Sequence, residues 1–131
     1  MSNYCEIFKN AKNIAVVGIS NNPGRDSGLI ANFLKSKGYN VVGVNPVQDD
    51  FDGIKVYKTL KDVPFKIDIV DIFRRSEFAE EIVDESIEVG AKVVWMQLGV
   101  ENIHAQEKAL KAGLQVVMNH CIAIEYRKCN F

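Results

Sequence analysis

The residues best suited to chemistry gather in a few short stretches. The first is VVGISNNPGRDSG, Val16 to Gly28. A β-branched run stops at Gly18, and small polar residues, Pro23, Gly24 and Arg25 follow before a helical pattern begins near Asp26 or Ser27. Gly18 lets backbone approach a ligand closely. Ser20 and Asn21 offer hydrogen-bond donors. A helix start presents unpaired N–H groups and a partial positive charge, and Arg25 adds a full charge in a planar fork. That combination suits phosphate. The competing reading is a tight strand-to-helix turn in which Pro23 and Gly24 serve only backbone angles.

Three further stretches bear on the same chemistry. VNPVQ carries Asn45 where a dinucleotide site for NAD wants an acid to hold ribose hydroxyls. Asn45 is neutral and tolerates a neighbouring phosphate, and Pro46 stiffens the turn. The first loop reads G-x-S-x-x-x-G, without the dinucleotide glycine spacing. In DIFRR, Arg74 and Arg75 follow a buried run. They suit phosphate pairing or stacking on a purine, against the plainer reading of solvated charges paired with the acids of SEFAEE. In WMQLG, Gln97 and Gly99 end another run, and Trp95 alternates with Val93 as a core residue would. His104, His120 and Cys121 have no sequence neighbours that make a metal site or a catalytic set. No catalytic or metal-ligating residue is therefore assigned.

These residues need elements to position them. Five apolar runs begin at Ile14, Val41, Ile67, Lys92 and Leu114. Continuous apolar runs predict strands buried on both faces. Helical patterns alternate with them: SGLIANFLKSKG with Leu29, Ile30, Phe33 and Leu34 on one face; SEFAEEIVDESIEVG with Ser76 as N-cap; and ENIHAQEKALKAG with Ile103, Ala109 and Leu110 as a weaker stripe. Each closes on a glycine, Gly38, Gly90 or Gly113. Gln48 to Lys66 reads as an irregular connection with one short turn in TLKDVP, and YCEIFKN as a short covering helix. Alternating strands and helices predict an α/β fold: a Rossmann-like, doubly wound parallel sheet of about five strands in three α/β/α layers. Ligands of such sheets bind beyond the carboxyl ends of the strands, where Gly18–Gly28, Asn45–Gln48, Phe73–Arg75, Gln97–Gly99 and Asn119–Cys121 fall.

The bulk numbers set the outer limits. A chain of 131 residues, 47% hydrophobic and 25% charged, suits a single domain over residues 1–131. No apolar run approaches the roughly 20 residues that span a bilayer. A formal net charge of −1 gives no basic surface for nucleic acid or membrane. The start of the sequence shows no signal peptide. Three scattered cysteines, Cys5, Cys121 and Cys129, then predict reduced thiols in a cytoplasmic protein.

NIAVVGISNNPGRDSGLIANFLKSKGYNVVGVNP, with DIVDIFRR, GAKVVWMQLGV and GLQVVMNHCIAIEY, closely resembles the stand-alone CoA-binding domain proteins. These are relatives of the N-terminal domain of the succinyl-CoA synthetase alpha subunit. The resemblance runs from about Phe8 to Arg127. It implies a Rossmann-like domain that binds coenzyme A, with the synthetase's phosphate loop falling on Gly18–Gly24 and Ser20 in place of its threonine. The synthetase's lysine after the second strand falls near Val47 or Gln48, where this chain has none; Arg25 or Arg74 is the expected substitute. Further contacts fall on Met96, Gln97 and Leu98, and the G-P-N-C segment on Met118–Cys121. The synthetase's phosphorylated histidine lies in a second domain not present in this sequence, so ligase activity does not carry over.

The expectation is a module that binds CoA or an acyl-CoA through Gly18, Ser20, Asn21, Gly24, Arg25, Asn45, Pro46, Arg74, Arg75, Gln97 and Gly99, without evident catalysis. Two other readings stay open: an enzyme acting on a CoA thioester or nucleotide through Cys121 or His120, and an NAD-responsive regulatory domain. The missing acid at Asn45 weakens the latter. Whether the chain works alone, as a homo-oligomer or with a protein partner is left open.

Overall fold

The computed structural model describes residues 4–131. The five apolar runs are strands: β1 (Asn13–Val17), β2 (Asn40–Val44), β4 (Ile69–Ile72), β5 (Val93–Met96) and β6 (Gln115–Met118). The sixth, β3 (Val56–Tyr57), lies inside the connection read as irregular. Two residues are too few to show a pattern. Its position is set from outside, by Gly43 N–H on the Lys55 carbonyl, Asn45 N–H on the Tyr57 carbonyl and Asp50 Oδ1 accepting Val56 N–H. The short turn expected in TLKDVP is a 3-10 turn at Leu60–Asp62.

All pairings are parallel, in the order β3-β2-β1-β4-β5-β6. Helices cover both faces. On one face α3 (Ala79–Glu88) and α4 (Ile103–Lys111) bury Ala15, Val17, Val42, Val70, Ile72, Val94 and Met96. On the other, α1 (Tyr4–Asn10), α2 (Ser27–Ser36) and α5 (Ile122–Arg127) bury Ile14, Val16, Val41, Ile69, Val93, Trp95 and Val117. Successive strand residues point to opposite faces, so burying both faces requires the unbroken apolar runs of the sequence. Trp95 is fully buried, as its alternation with Val93 implied.

The helix faces differ from the expected stripes in an instructive way. Leu29, Ile103 and Leu110 are largely exposed, while Ala31, Ala105 and Ala109 are fully buried. At these positions small residues meet the sheet and the longer side chains turn out, while Leu34 of α2 and Ile82 and Val83 of α3 pack in the core. Ser76 does not cap α3. A 3-10 turn, Ser76–Phe78, precedes the helix, and the Ser76 hydroxyl accepts Glu101 N–H at 2.9 Å. α4 does have a side-chain cap, Asn102 Oδ1 accepting Ala105 N–H.

Two carboxyls have opposite fates. Asp68, at the start of β4, accepts the N–H groups of Lys12 and Asn13, each at 2.9 Å, and faces Lys92 at 3.6 Å. Partial burial pushes its carboxyl up, but those N–H groups and the Lys92 charge outweigh it and hold it below the usual range. Asp71, mid-strand between Val16 and Trp95, is fully buried and neither oxygen has a partner. Burial alone pushes its carboxyl well above the usual range.

The expectation of three reduced thiols fails for two of them. Cys5 of α1 and Cys129 beyond α5 are joined in a disulfide across a sequence separation of 124, and Cys121 is the free cysteine. Spacing could not show this, because α1 and α5 meet only once the sheet has formed. Among the described residues no helix is long and apolar enough to cross a membrane, and no group of three or more His, Cys, Asp or Glu is placed to hold a metal ion.

Candidate anion-binding site

The order 3-2-1-4-5-6 reverses direction between β1 and β4. Connections from β1 run one way and those from β4 the other, which leaves a crevice at their carboxyl ends. A cleft of about 560 Å³ lies there, formed by three loops. The loop after β1 gives Gly18, Ser20, Asn22 and Arg25; the end of β2 gives Asn45 and Pro46; the end of β4 gives Phe73, Arg74, Arg75 and Phe78. Three guanidinium groups line it, and no carboxylate, thiol or imidazole.

The β1–α2 loop holds its own shape. Ser20 N–H donates to Ser27 Oγ, Asn22 N–H to Ser20 Oγ, Gly24 N–H to Asn22 Oδ1 and Arg25 N–H to the Asn22 carbonyl. The loop is thus preorganised, and a ligand need not order it. Asp26 sits at the start of α2 without a side-chain capping bond. Gly28 lets the helix begin against the loop after β1: a Cβ there would lie 2.7 Å from the Ser20 carbonyl oxygen.

Gly18 controls the junction with β4. Its φ is +87°, and a Cβ would lie 2.5 Å from the Phe73 carbonyl oxygen and 2.9 Å from Arg74 Cδ. Arg74 therefore crosses over bare glycine backbone. Its guanidinium carbon sits 4.5 Å from the centre of the Phe78 ring, which fixes one face of the fork. Arg75 is more exposed and loosely paired, 3.9 Å from Glu77. Asn45 braces two loops at once: Nδ2 donates to the Ile19 carbonyl at 2.8 Å and Oδ1 accepts Val47 N–H at 2.9 Å.

Of the residues expected at the site, Gly18, Ser20, Arg25, Asn45, Pro46, Arg74 and Arg75 share this cleft. Asn21 and Gly24 belong to the same loop but do not line it; Asn21 N–H donates to Gln48 Oε1 at 3.2 Å. Gln97 and Gly99 lie further along the carboxyl edge. Gln97 is buried and its Oε1 accepts Ile122 N–H at 2.9 Å; Gly99 N–H donates to Asn119 Oδ1 at 2.7 Å. Both tie the β5 end to the β6–α5 turn. Three lining residues are not among the expected contacts: Asn22 and Phe73, which fall within the segments expected at the ligand edge, and Phe78, which does not. By sequence Phe78 falls in the helical pattern SEFAEEIVDESIEVG, at helical spacing with Ile82. Its place four residues after Arg74 was the available signal.

The remaining reactive groups lie outside the cleft. His104 Nδ1 is 2.7 Å from Glu80 Oε1 between α3 and α4, and Lys108 joins the same carboxylate at 2.7 Å. Those two hydrogen bonds, Lys108 first, hold the Glu80 carboxyl below its usual range. His120 lies 3.9 Å from the buried Glu125 carboxylate, and Cys121 precedes α5.

Comparison with known proteins adds a context for this geometry. A family model described as a CoA binding domain matches residues 12–127. The uncharacterized protein YneT of Bacillus subtilis is 37% identical over 121 residues, covering 92% of this chain and 90% of its own. The alpha subunit of acetate–CoA ligase (ADP-forming) II from Pyrococcus furiosus is 29% identical over 130 residues. Those cover 91% of this chain but only 28% of the subunit. Among solved structures, a hypothetical protein from Pyrococcus horikoshii superposes with a TM-score of 0.91 at 40% identity, covering 95% of this chain and 87% of that one.

Proposed function

We propose that this chain, which belongs to the CoA binding domain family, binds coenzyme A or an acyl-CoA along the carboxyl edge of its sheet. The observation that carries this reading is the cleft at the β1/β4 crevice, lined by three arginines and no carboxylate. A ligand there must be strongly anionic. CoA brings a pyrophosphate and a ribose phosphate, and fits three guanidinium groups better than NAD does. Asn45, with both amide atoms committed to backbone, supplies no acid for free ribose hydroxyls. Arg25 or Arg74 takes the part of the lysine that the synthetase carries after its second strand.

The binding is proposed to be without turnover. The cleft supplies donors and positive charge, and none of its lining residues is a nucleophile or a base tuned for proton transfer. Acetyl-CoA incubated with the protein should remain intact.

Thermal unfolding with CoA and with NAD tests the reading. At about 100 times its dissociation constant CoA adds roughly 2.7 kcal/mol, a rise of roughly 10 °C for a chain of this size. NAD at the same concentration should leave Tm unchanged. Equal stabilisation by NAD would sink the CoA assignment.

A further inference from the structure

One end of the carboxyl edge depends on the two shortest helices. α1 has seven residues and α5 has six, below the roughly 12–15 that hold a helix in water unaided. Packing and a covalent bond keep them in place. Phe8 of α1 is buried, with its ring 5.4 Å from Trp95 and 5.3 Å from Tyr126, and its carbonyl accepts the Tyr39 hydroxyl at 2.8 Å. Cys5 binds Cys129 just beyond α5.

The same helix reaches the turn after β6. The Tyr4 ring lies 5.4 Å from Trp95 and 5.5 Å from His120, and Trp95 Nε1 donates to the His120 carbonyl at 2.8 Å. The turn includes Asn119, at a φ of 63°, a conformation that needs support from its surroundings. Asn119 in turn accepts Gly99 N–H, and Ile122 N–H donates to Gln97. A continuous set of contacts therefore joins the disulfide to Gln97, Gly99 and Asn119.

We propose that the Cys5–Cys129 disulfide is a redox-operated clasp: closed, it holds α1 against Trp95 and His120 and so shapes the β5–β6 end of the ligand edge. A dithiol reductant transfers two electrons and two protons to the two sulfurs, giving two cysteine thiols and its own cyclic disulfide. In the folded protein the bond is the one covalent tie of α1 to the residues beyond α5; once it opens, a seven-residue helix is held by packing alone. α1 then loosens, and the Asn119–Ile122 turn loses its brace. The cleft between β1 and β4 touches neither α1 nor α5 and keeps its shape.

The functional half of this inference rests on the CoA reading. In that reading the phosphates occupy the β1/β4 cleft, and the pantetheine arm extends across β4 and β5, adjacent strands spaced about 4.8 Å apart. Reduction should weaken contacts to the arm and spare those to the phosphates.

The test compares oxidised and dithiothreitol-reduced protein, with a Cys5→Ser/Cys129→Ser variant as an open form that ignores reductant. Two probes are titrated: acetyl-CoA, which has no free thiol, and 3′-phosphoadenosine 5′-diphosphate, which lacks the arm. Reduction should weaken acetyl-CoA by about 2- to 12-fold, the worth of one hydrogen bond, and leave the fragment's affinity unchanged. In the ligand-free protein, amide exchange at His120–Ile122 should accelerate and Trp95 emission should shift to the red. Equal acetyl-CoA affinity in both redox states overturns the coupling, and unchanged exchange overturns the clasp. Loss of the fragment together with acetyl-CoA on reduction overturns it too, because the bond then supports the whole fold. Failure of both probes in both states overturns the CoA reading instead, and the exchange rates alone then decide for or against the clasp.

Discussion

Replacing Arg74 with alanine separates the proposed site from a merely charged surface. Arg74 lies across Gly18, with one guanidinium face on Phe78, and it lines the cleft between β1 and β4. A hydrogen bond to a charged group contributes about 1.5–3 kcal/mol. If Arg74 binds a CoA phosphate, Arg74→Ala should raise the dissociation constant about 10- to 150-fold. The ligand-free protein loses only the stacking on Phe78, about 0.5–1 kcal/mol at an exposed site. Calorimetric titration at physiological ionic strength reads the first quantity, and urea unfolding the second. Arg74→Lys should fall between, since lysine keeps the charge but not the planar fork. Dephospho-CoA locates the contact: if Arg74 holds the ribose phosphate, the alanine variant and the native protein should bind dephospho-CoA equally. Unchanged CoA affinity in both Arg74→Ala and Arg25→Ala would refute the assignment, because the only other charge lining the cleft, Arg75, is already paired with Glu77.

Two further outcomes follow from the fold. Asp71 is protonated in the folded state above the pH at which the unfolded chain ionises it. Stability should therefore fall as pH rises from its ordinary value of 3.8 toward its raised native value, by about 1.4 kcal/mol per pH unit. Asp71→Val should remove that slope and stabilise the protein at neutral pH; denaturant midpoints against pH check it, and an unaltered slope would contradict it. Gly18→Ala places a Cβ 2.5 Å from the Phe73 carbonyl oxygen at a φ of +87°, which should cost about 1–3 kcal/mol of stability and weaken CoA by displacing Arg74. An unchanged urea midpoint would contradict the geometry at this junction.

The parts of the molecule legible in the sequence are those with a local physical signal. Apolar runs such as Ile14–Val17 and Val93–Met96 announce strands buried on both faces, and Gly38, Gly90 and Gly113 mark helix ends at positive φ. The loop chemistry of Gly18, Ser20 and Arg25, and the arginines after β4, could be named because topology sends every carboxyl end to one edge. What stayed hidden depends on packing. β3 has two residues and is defined by its partner β2. Leu29 and Leu110 look like core by type, yet alanines face the sheet. Gln97 and Gly99 sit on the expected edge but bind the β6–α5 turn, a contact 20 to 25 residues away in sequence. The Cys5–Cys129 bond joins opposite ends of the chain, where neither residue has a local cue.

Asn45 bears on how readily the proposed preference of this domain for CoA over NAD could be altered. Its side chain points inward at both ends, giving a proton to the Ile19 carbonyl and taking one from Val47. Exchanging it for aspartate, the obvious single step toward a ribose-gripping dinucleotide site, would set a second oxygen against the Ile19 carbonyl oxygen. The new carboxylate would turn away from that repulsion toward Arg25 and Arg74, draining the positive field without gaining a ribose. Moving this scaffold to NAD therefore requires at least a coordinated change of the Ile19 backbone, the residue at position 45 and the arginines. On the CoA reading, point substitutions along that route would pass through proteins that hold neither ligand well, and the preference would be guarded by the wiring of two loops more than by any one contact.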